Sequence, residues 1–140
     1  MKALDPTTPA GARIAERLET DLTGWLTTVN PEGQPQSSVI WFKWADGVIT
    51  VHSHKRSVRN GNIEERPLVS FTLDTEDHGD AYVTIEAVAR IDPDGGPASA
   101  DAPFMAKYAG MIESYGWEPG WYDTEYPYVI RITPTRWRVA

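Results

Sequence analysis

Apolar positions recur along this chain in two rhythms, one near the helical period and one alternating, and the changes between them mark out its elements. Thr8-Pro9 pairs a capping hydroxyl with a proline at the first helical position, and Ile14, Leu18 and Leu22 follow at about helical spacing. This predicts an amphipathic helix from Pro9 to about Asp21. Gly24 interrupts it, and Trp25-Leu26-Thr27-Thr28-Val29 is aromatic and β-branched, as a buried strand would be. Asn30-Pro31-Glu32-Gly33 reads as a turn. Gln36 to Trp44 reads as a second strand, closed at Ala45-Asp46-Gly47 by the Asp-Gly pair of a tight hairpin, and Val48 to Ser53 returns. Three such strands at short intervals suggest a meander within a barrel or sandwich.

The rhythm changes after Ser53. A basic and polar stretch leads into a short helix, about Ser57 to Glu65, ended by Pro67. Leu68 to Asp74 and Ala81 to Asp92 read as strands, the second with alternation through Val83, Ile85, Ala87, Val88 and Ile91. Beyond a Gly/Pro-rich loop from Pro93 to Ser99, residues Phe104, Met105, Tyr108, Met111 and Ile112 define a helix from Ala102 to Tyr115. Trp117 to Tyr126 is an aromatic connector, and Tyr128 to Val139 a final alternating strand. The expected class is mainly β, with about six antiparallel strands and a few short helices, in one domain over residues 1–140.

Composition narrows what such a domain does. With 41% apolar residues, six Trp and six Tyr, a packed core is available. The net charge of −7 disfavours nucleic acid and anionic lipid as partners. The absence of cysteine removes thiol nucleophiles, disulfides and zinc–thiolate sites. Met1 to Pro9 has no apolar signal-like region, and no later apolar run approaches the roughly 18 residues that span a bilayer, so a cytoplasmic, non-membrane protein is expected.

Against that acidic background, Ser53-His54-Lys55-Arg56-Ser57-Val58-Arg59-Asn60-Gly61-Asn62 reverses the sign where a strand hands over to a helix. First-turn amides of a helix have no partner within it and favour an anion. Ser57 at the N-cap adds a hydroxyl, while Arg59 and Lys55 or Arg56 add charge-assisted bonds, Arg59 through a fork suited to phosphate. The segment reads as a phosphate seat, or as a solvated basic face on an ordinary connector, since the paired glycines of a nucleotide loop are absent.

The same residues belong to a wider resemblance. Trp25-Leu26-Thr27-Thr28-Val29, Gly33-Gln34-Pro35, Ser38-Val39-Ile40-Trp41-Phe42, Ser53 with Ser57-x-Arg59-x-x-Asn62, and Arg66-Pro67-Leu68-Val69-Ser70 resemble, in order, the pyridoxamine-phosphate-oxidase-like split β-barrel proteins, an FMN-binding-like fold. Ala106-Lys107-Tyr108, Tyr126 and Ile130-Arg131-Ile132-Thr133-Pro134-Thr135-Arg136 are similar to the branch of deazaflavin (coenzyme F420)-dependent reductases. The resemblance implies a homodimer with cofactor sites at the subunit interface. It puts Ser53, Ser57 and Arg59 at the phosphate-side positions, and Ser37, Ser38 and Val39 on the strand whose backbone lies along the isoalloxazine-type ring.

Trp41, with Trp44, Trp117, Trp121 and Trp137, is a candidate for lining a planar-ligand pocket, or for ordinary core or dimer packing. His52, His54 and His78 lack metal-ligand spacing. His54, beside the basic cluster, is placed to touch cofactor or substrate, or is an exposed loop histidine. Asp74, Glu76, Asp77 and Asp80 lack the spacing of a calcium loop and read as a solvated hairpin turn. The expected activity is hydride transfer from bound F420 to a small organic acceptor. Its alternatives are an FMN-dependent oxidase of pyridoxamine type and a non-catalytic flavin- or haem-binding carrier.

Overall fold

The computed structural model describes residues 4–139. A capped helix, α1 (Pro9–Thr20), comes first, with the Thr8 hydroxyl accepting from the Gly11 amide at 3.0 Å. Among the described residues seven strands follow: β1 (Gly24–Val29), β2 (Pro35–Ile40), β3 (Lys43–Ala45), β4 (Val48–Ser53), β5 (Leu68–Thr72), β6 (Val83–Asp92) and β7 (Tyr128–Val139). Helix α2 (Val58–Glu65) lies between β4 and β5, and α3 (Ala102–Ser114) and α4 (Pro119–Glu125) lie between β6 and β7. All the strands form one antiparallel sheet in the order β2-β1-β5-β6-β7-β4-β3.

The single strand expected from Gln36 to Trp44 is in fact two. It breaks at Trp41-Phe42, so β2 pairs with β1 at one edge of the sheet while β3 pairs with β4 at the other. Ile40 and Lys43 are three residues apart and span at most about 10 Å, so the two edges are drawn together and the sheet curls into a split barrel. The turn into β4 is as the Asp-Gly pair suggested: Asp46 and Gly47 both have positive φ, 55° and 74°, the signature of a type I′ hairpin.

Inside the barrel sit Leu26, Phe42, Ile49, Phe71, Ile85 and Ile132, among others, and Leu18 of α1 joins the same buried cluster. A second apolar layer outside β4 is built from α3, α4 and the turn at Ala98–Ala100, around Phe104, Tyr108, Ile112 and Tyr122. Strand β4 is therefore covered on both faces, with Ile49 through Ser53 all buried.

Helix α3 holds the corner at Phe42, whose backbone has no ladder partner there. The Tyr108 hydroxyl accepts from the Phe42 amide at 2.9 Å and shares its proton between the Leu22 and Phe42 carbonyls. The Lys107 ammonium donates to the Phe42 carbonyl at 3.0 Å and lies 3.8 Å above the Phe42 ring. Burial pushes the Lys107 amine down to about 8, against the opposing charge of Asp21, and pushes the Tyr108 phenol up to about 12. Between pH 8 and 10 the unfolded chain holds a proton at Lys107 that the folded chain has released, so stability should climb with pH. Above about pH 10 the folded chain keeps the Tyr108 proton that the unfolded chain loses, and stability should fall. Urea midpoints measured from pH 7 to 11 check this, and Lys107→Met should flatten the climb.

Candidate functional site

Between β2, β4 and the outer aromatic layer lies a cavity of about 340 Å³, within the ~300–1,000 Å³ range of small-molecule sites. Val39, Ile40 and Trp41 line it from the end of β2, Val51, His52 and His54 from β4 and the residue after it, and Arg59 from the first turn of α2. Tyr115, Trp117, Tyr122 and Tyr126 form the outer wall. Trp41 is stacked on Tyr108 at 4.7 Å and 5° and lies near-parallel to Tyr122 at 6.0 Å, which holds its ring plane fixed. The other tryptophans divide as follows. Trp117 lines the cavity, Trp121 is exposed with its ring 4.9 Å from that of Trp117, and Trp44 and Trp137 meet each other edge to face while packing against the barrel core.

The phosphate-side segment takes its shape from Ser57, which caps α2. Its hydroxyl accepts weakly from the Arg59 amide at 3.4 Å and from the Arg59 Nε at 2.7 Å. Arg59 is thereby folded back over the helix start, and among the described residues its guanidinium has no carboxylate within ion-pair distance. Burial pushes its pKa below the ordinary value, with Tyr126 opposing, yet a guanidinium stays protonated. It is a half-buried cation at a cavity wall.

The neighbouring cations are placed differently. Lys55 Nζ reaches Glu125 at 3.2 Å, and its amide donates to the Glu125 carbonyl, so Lys55 ties α4 to the segment and does not line the cavity. Arg56 is exposed and outside the lining. His54 lines the cavity with Nε2 3.3 Å from Glu125 and its ring edge-on to Tyr126.

Asn62 is buried and donates to the Thr28 hydroxyl and to the Gln36 side-chain amide oxygen, Oε1, at 3.0 and 3.1 Å, pinning α2 to β1 and β2. The Ser53 hydroxyl is buried without a hydrogen-bond partner among the described residues. Ser37 bonds the Thr27 hydroxyl across the strand pair, and Ser37 and Ser38 stand on the outer stretch of β2 leading to Val39. Of the expected site residues, Val39, Trp41, His54 and Arg59 share the cavity.

His52 and Asp101 carry chemistry that motif spacing did not reveal. The His52 Nε2 lies 3.2 Å from one oxygen of Asp101, whose other oxygen meets Lys43 Nζ at 2.9 Å and caps α3 at the Phe104 amide. Burial pushes the His52 pKa down, Asp101 opposes, and Lys43 and Arg131 add to the lowering. For Asp101, burial raises the pKa, but hydrogen bonds from Lys43, His52 and the Phe104 amide outweigh it and leave the carboxyl below its ordinary value. The signal available in the sequence was the near-continuous apolar run Val48 to Val51, which marks a doubly covered strand and so a buried His52.

The acidic cluster is structural. Glu76 pairs with Arg13 at 2.8 Å and with Arg17 at 3.4 Å, and Asp74 accepts from the Trp25 indole. The side chain of Asp77 lies outside the described residues, and no group that could hold a metal occurs among those described. Nor is any described helix long and apolar enough to cross a membrane.

Residues 10–140 match the family model described as pyridoxamine 5'-phosphate oxidase. The chain belongs to that family. No curated protein sequence matches it. Among solved structures, this member of the pyridoxamine 5'-phosphate oxidase family is similar to an F420 reductase, at 26% identity and a TM-score of 0.65, with 88% of this chain and 94% of that one covered. It is similar also to a conserved hypothetical protein of Mycobacterium tuberculosis, at 25% identity and a TM-score of 0.71, covering 99% and 89%. The haem storage protein HutZ of Vibrio cholerae shares the fold at 19% identity and a TM-score of 0.67, covering 94% and 95%.

Proposed function

We propose that this protein is an oxidoreductase that binds a flavin-type cofactor, F420 in the first place and FMN as the alternative, with the ring in the cavity and a phosphate at the start of α2. The observation that carries this reading is Arg59, a half-buried guanidinium with no carboxylate within ion-pair distance among the described residues, opening on a cavity walled by aromatic rings. A half-buried cation facing a cavity favours an anionic partner, and a phosphate supplies that charge. The unsatisfied Ser53 hydroxyl, at the end of β4 just before this segment, is a further polar group in want of a partner. Similarity to an F420 reductase at 26% identity favours F420 within that class.

When bound, the cofactor supplies hydride chemistry on a small organic acceptor. The chain's own residues bind, orient and shield. Arg59 and the Ser57 cap neutralise the phosphate, Val39 and its β2 backbone present a flat side to the ring, and Trp41 with Tyr122 keeps water out. Lys55, Arg56 and Asn62 act around this centre: Asn62 fixes α2, Lys55 fixes α4, and Arg56 adds positive potential at the entrance.

We place the site at a homodimer interface. Val39 and Trp25 are register partners with solvent-facing side chains, as are Leu68 and Val88, and these two exposed apolar pairs flank a polar row of Ser37, Thr27, Ser70 and Glu86 on the outer face of β2-β1-β5-β6. A second copy would bury both pairs.

Titration of the purified protein with F420 and with FMN, followed by tryptophan fluorescence, tests the proposal, with sedimentation reporting subunit number. Saturable micromolar binding with quenching of Trp41 and Trp117, together with oxidation of the reduced cofactor by an added acceptor, is the expected result. Absence of saturable binding by either cofactor would overturn it. Tight binding without turnover of any acceptor would make the protein a carrier.

A further inference from the structure

A second cavity, of about 270 Å³, lies on the outer face of β3, β4, β7 and β6. Lys43, Thr50, Arg131 and Arg90 are successive register partners across these four strands, so their side chains form one row, on the face opposite Ile49, Val51, Ile130 and Ile132 of the core. All four line the cavity, together with Asp46 of the β3–β4 turn. In a chain of net charge −7, three cations thus stand side by side. Arg90 and Arg131 are directly opposite each other, and like charges so placed repel.

Carboxylates beside the row use only part of what it offers. One of them, Asp92, is shared, 3.1 Å from Arg131 Nε and 3.8 Å from Arg90. Asp101 accepts from Lys43 at 2.9 Å, and the Thr50 hydroxyl accepts from Arg131 Nη1 at 2.9 Å. Among the described residues the ion pairs of the three cations run to Asp92 and Asp101 alone, so Asp46 neutralises none of them. Arg131 Nη2, the Arg90 fork and the remaining Lys43 hydrogens have no hydrogen-bond partner there. The side chains of Lys43, Arg131 and Arg90 are 17%, 26% and 65% exposed, so a molecule in the cavity can reach all three.

We infer that this second cavity binds a small oxyanion, a phosphate or a short carboxylate, with Arg131 as its central ligand and Lys43 and Arg90 on either side. Asp92 and Thr50 hold the Arg131 guanidinium in place while leaving its outer N–H groups free for the ligand. A volume just under the ~300–1,000 Å³ of sites for drug-sized molecules suits a small ion better than a nucleotide. Asp46, facing the same space, sets a limit on the affinity. This cavity shares no lining residue with the one that contains Arg59, so the inference stands apart from the cofactor reading.

Titration with inorganic phosphate, and separately with succinate, tests this at constant ionic strength on the full chain carrying Arg59→Ala, which removes the other candidate phosphate ligand. Proton–nitrogen spectra are the readout. Expected is a saturable, millimolar displacement of the Arg131 and Arg90 Nε–H resonances and of the Thr50 amide by at least one of the two anions, the tighter of which identifies the ligand class. Arg90→Gln should weaken binding by about 2–5-fold, the worth of an exposed ion pair. Arg131→Gln should weaken it by about 10-fold or more, as loss of a charged hydrogen-bond donor does. Asp46→Asn, which tolerates the positive φ of that turn, should tighten binding by about 2–5-fold, a gain that no folding defect imitates. Displacement that never saturates with either anion, or an affinity unmoved by both Asp46→Asn and Arg90→Gln, overturns the inference.

Discussion

Arg59→Ala is expected to weaken binding of the proposed phosphate-bearing cofactor by about 1.5–3 kcal/mol, the usual worth of a hydrogen bond to a charged group, or roughly 10- to 150-fold in Kd. Folding should survive, because the guanidinium's only described bond is to the Ser57 hydroxyl, which keeps the α2 cap without it. Removing a half-buried cation also relieves part of a desolvation cost, so thermal stability without cofactor should be unchanged or slightly higher. Isothermal titration of wild type and variant, paired with melting curves, separates the two effects. Equal affinities would mean that the anionic group lies elsewhere. Arg59→Lys should recover part of the loss, since charge remains while the fork is gone.

Tyr108→Phe is expected to be the most damaging single-atom change to the fold. The hydroxyl is buried and serves three backbone groups: the Phe42 amide and the carbonyls of Leu22 and Phe42. Stranding the amide alone costs about 1–3 kcal/mol, and roughly 4 °C of melting temperature is lost per kcal/mol in a domain of this size. The damage should spread to the site, because Trp41, next to Phe42, is stacked on the same ring. Melting curves and cofactor titration of Tyr108→Phe are the checks, and a variant as stable as wild type would show that the corner at Phe42 is held by Lys107 and packing instead.

Most elements were legible because local signals agreed with tertiary ones. Thr8-Pro9 capped α1, Asp46-Gly47 made its hairpin, and Ser57 with Pro67 bounded α2, since caps and turns are decided within a few residues. The stretch from Gln36 to Trp44 was read as one strand because nothing in it forbids β structure. Its break depends on Tyr108 and Lys107, more than sixty residues away, taking over the bonds of Phe42, and local rhythm holds no trace of that.

The site was half legible for a related reason. Arg59 and Ser57 lie within one turn of chain, and their sign reversal against an acidic background was visible. The outer wall of Tyr115, Trp117, Tyr122 and Tyr126 reaches the cavity only through the docking of α3 and α4. Lys55 looked like a phosphate ligand because Glu125, which engages it, is seventy residues distant.

The position of β7 has a bearing on how the protein is made. It follows the other strands in sequence yet lies between β6 and β4, joining β2-β1-β5-β6 to β4-β3. Until a ribosome has released β7, both β4 and β6 expose an unpaired edge, and at ~5–20 residues per second that interval lasts seconds. Final closure is thus a late, long-range event. A nascent chain stalled before Tyr128 would be a natural client for holdase chaperones.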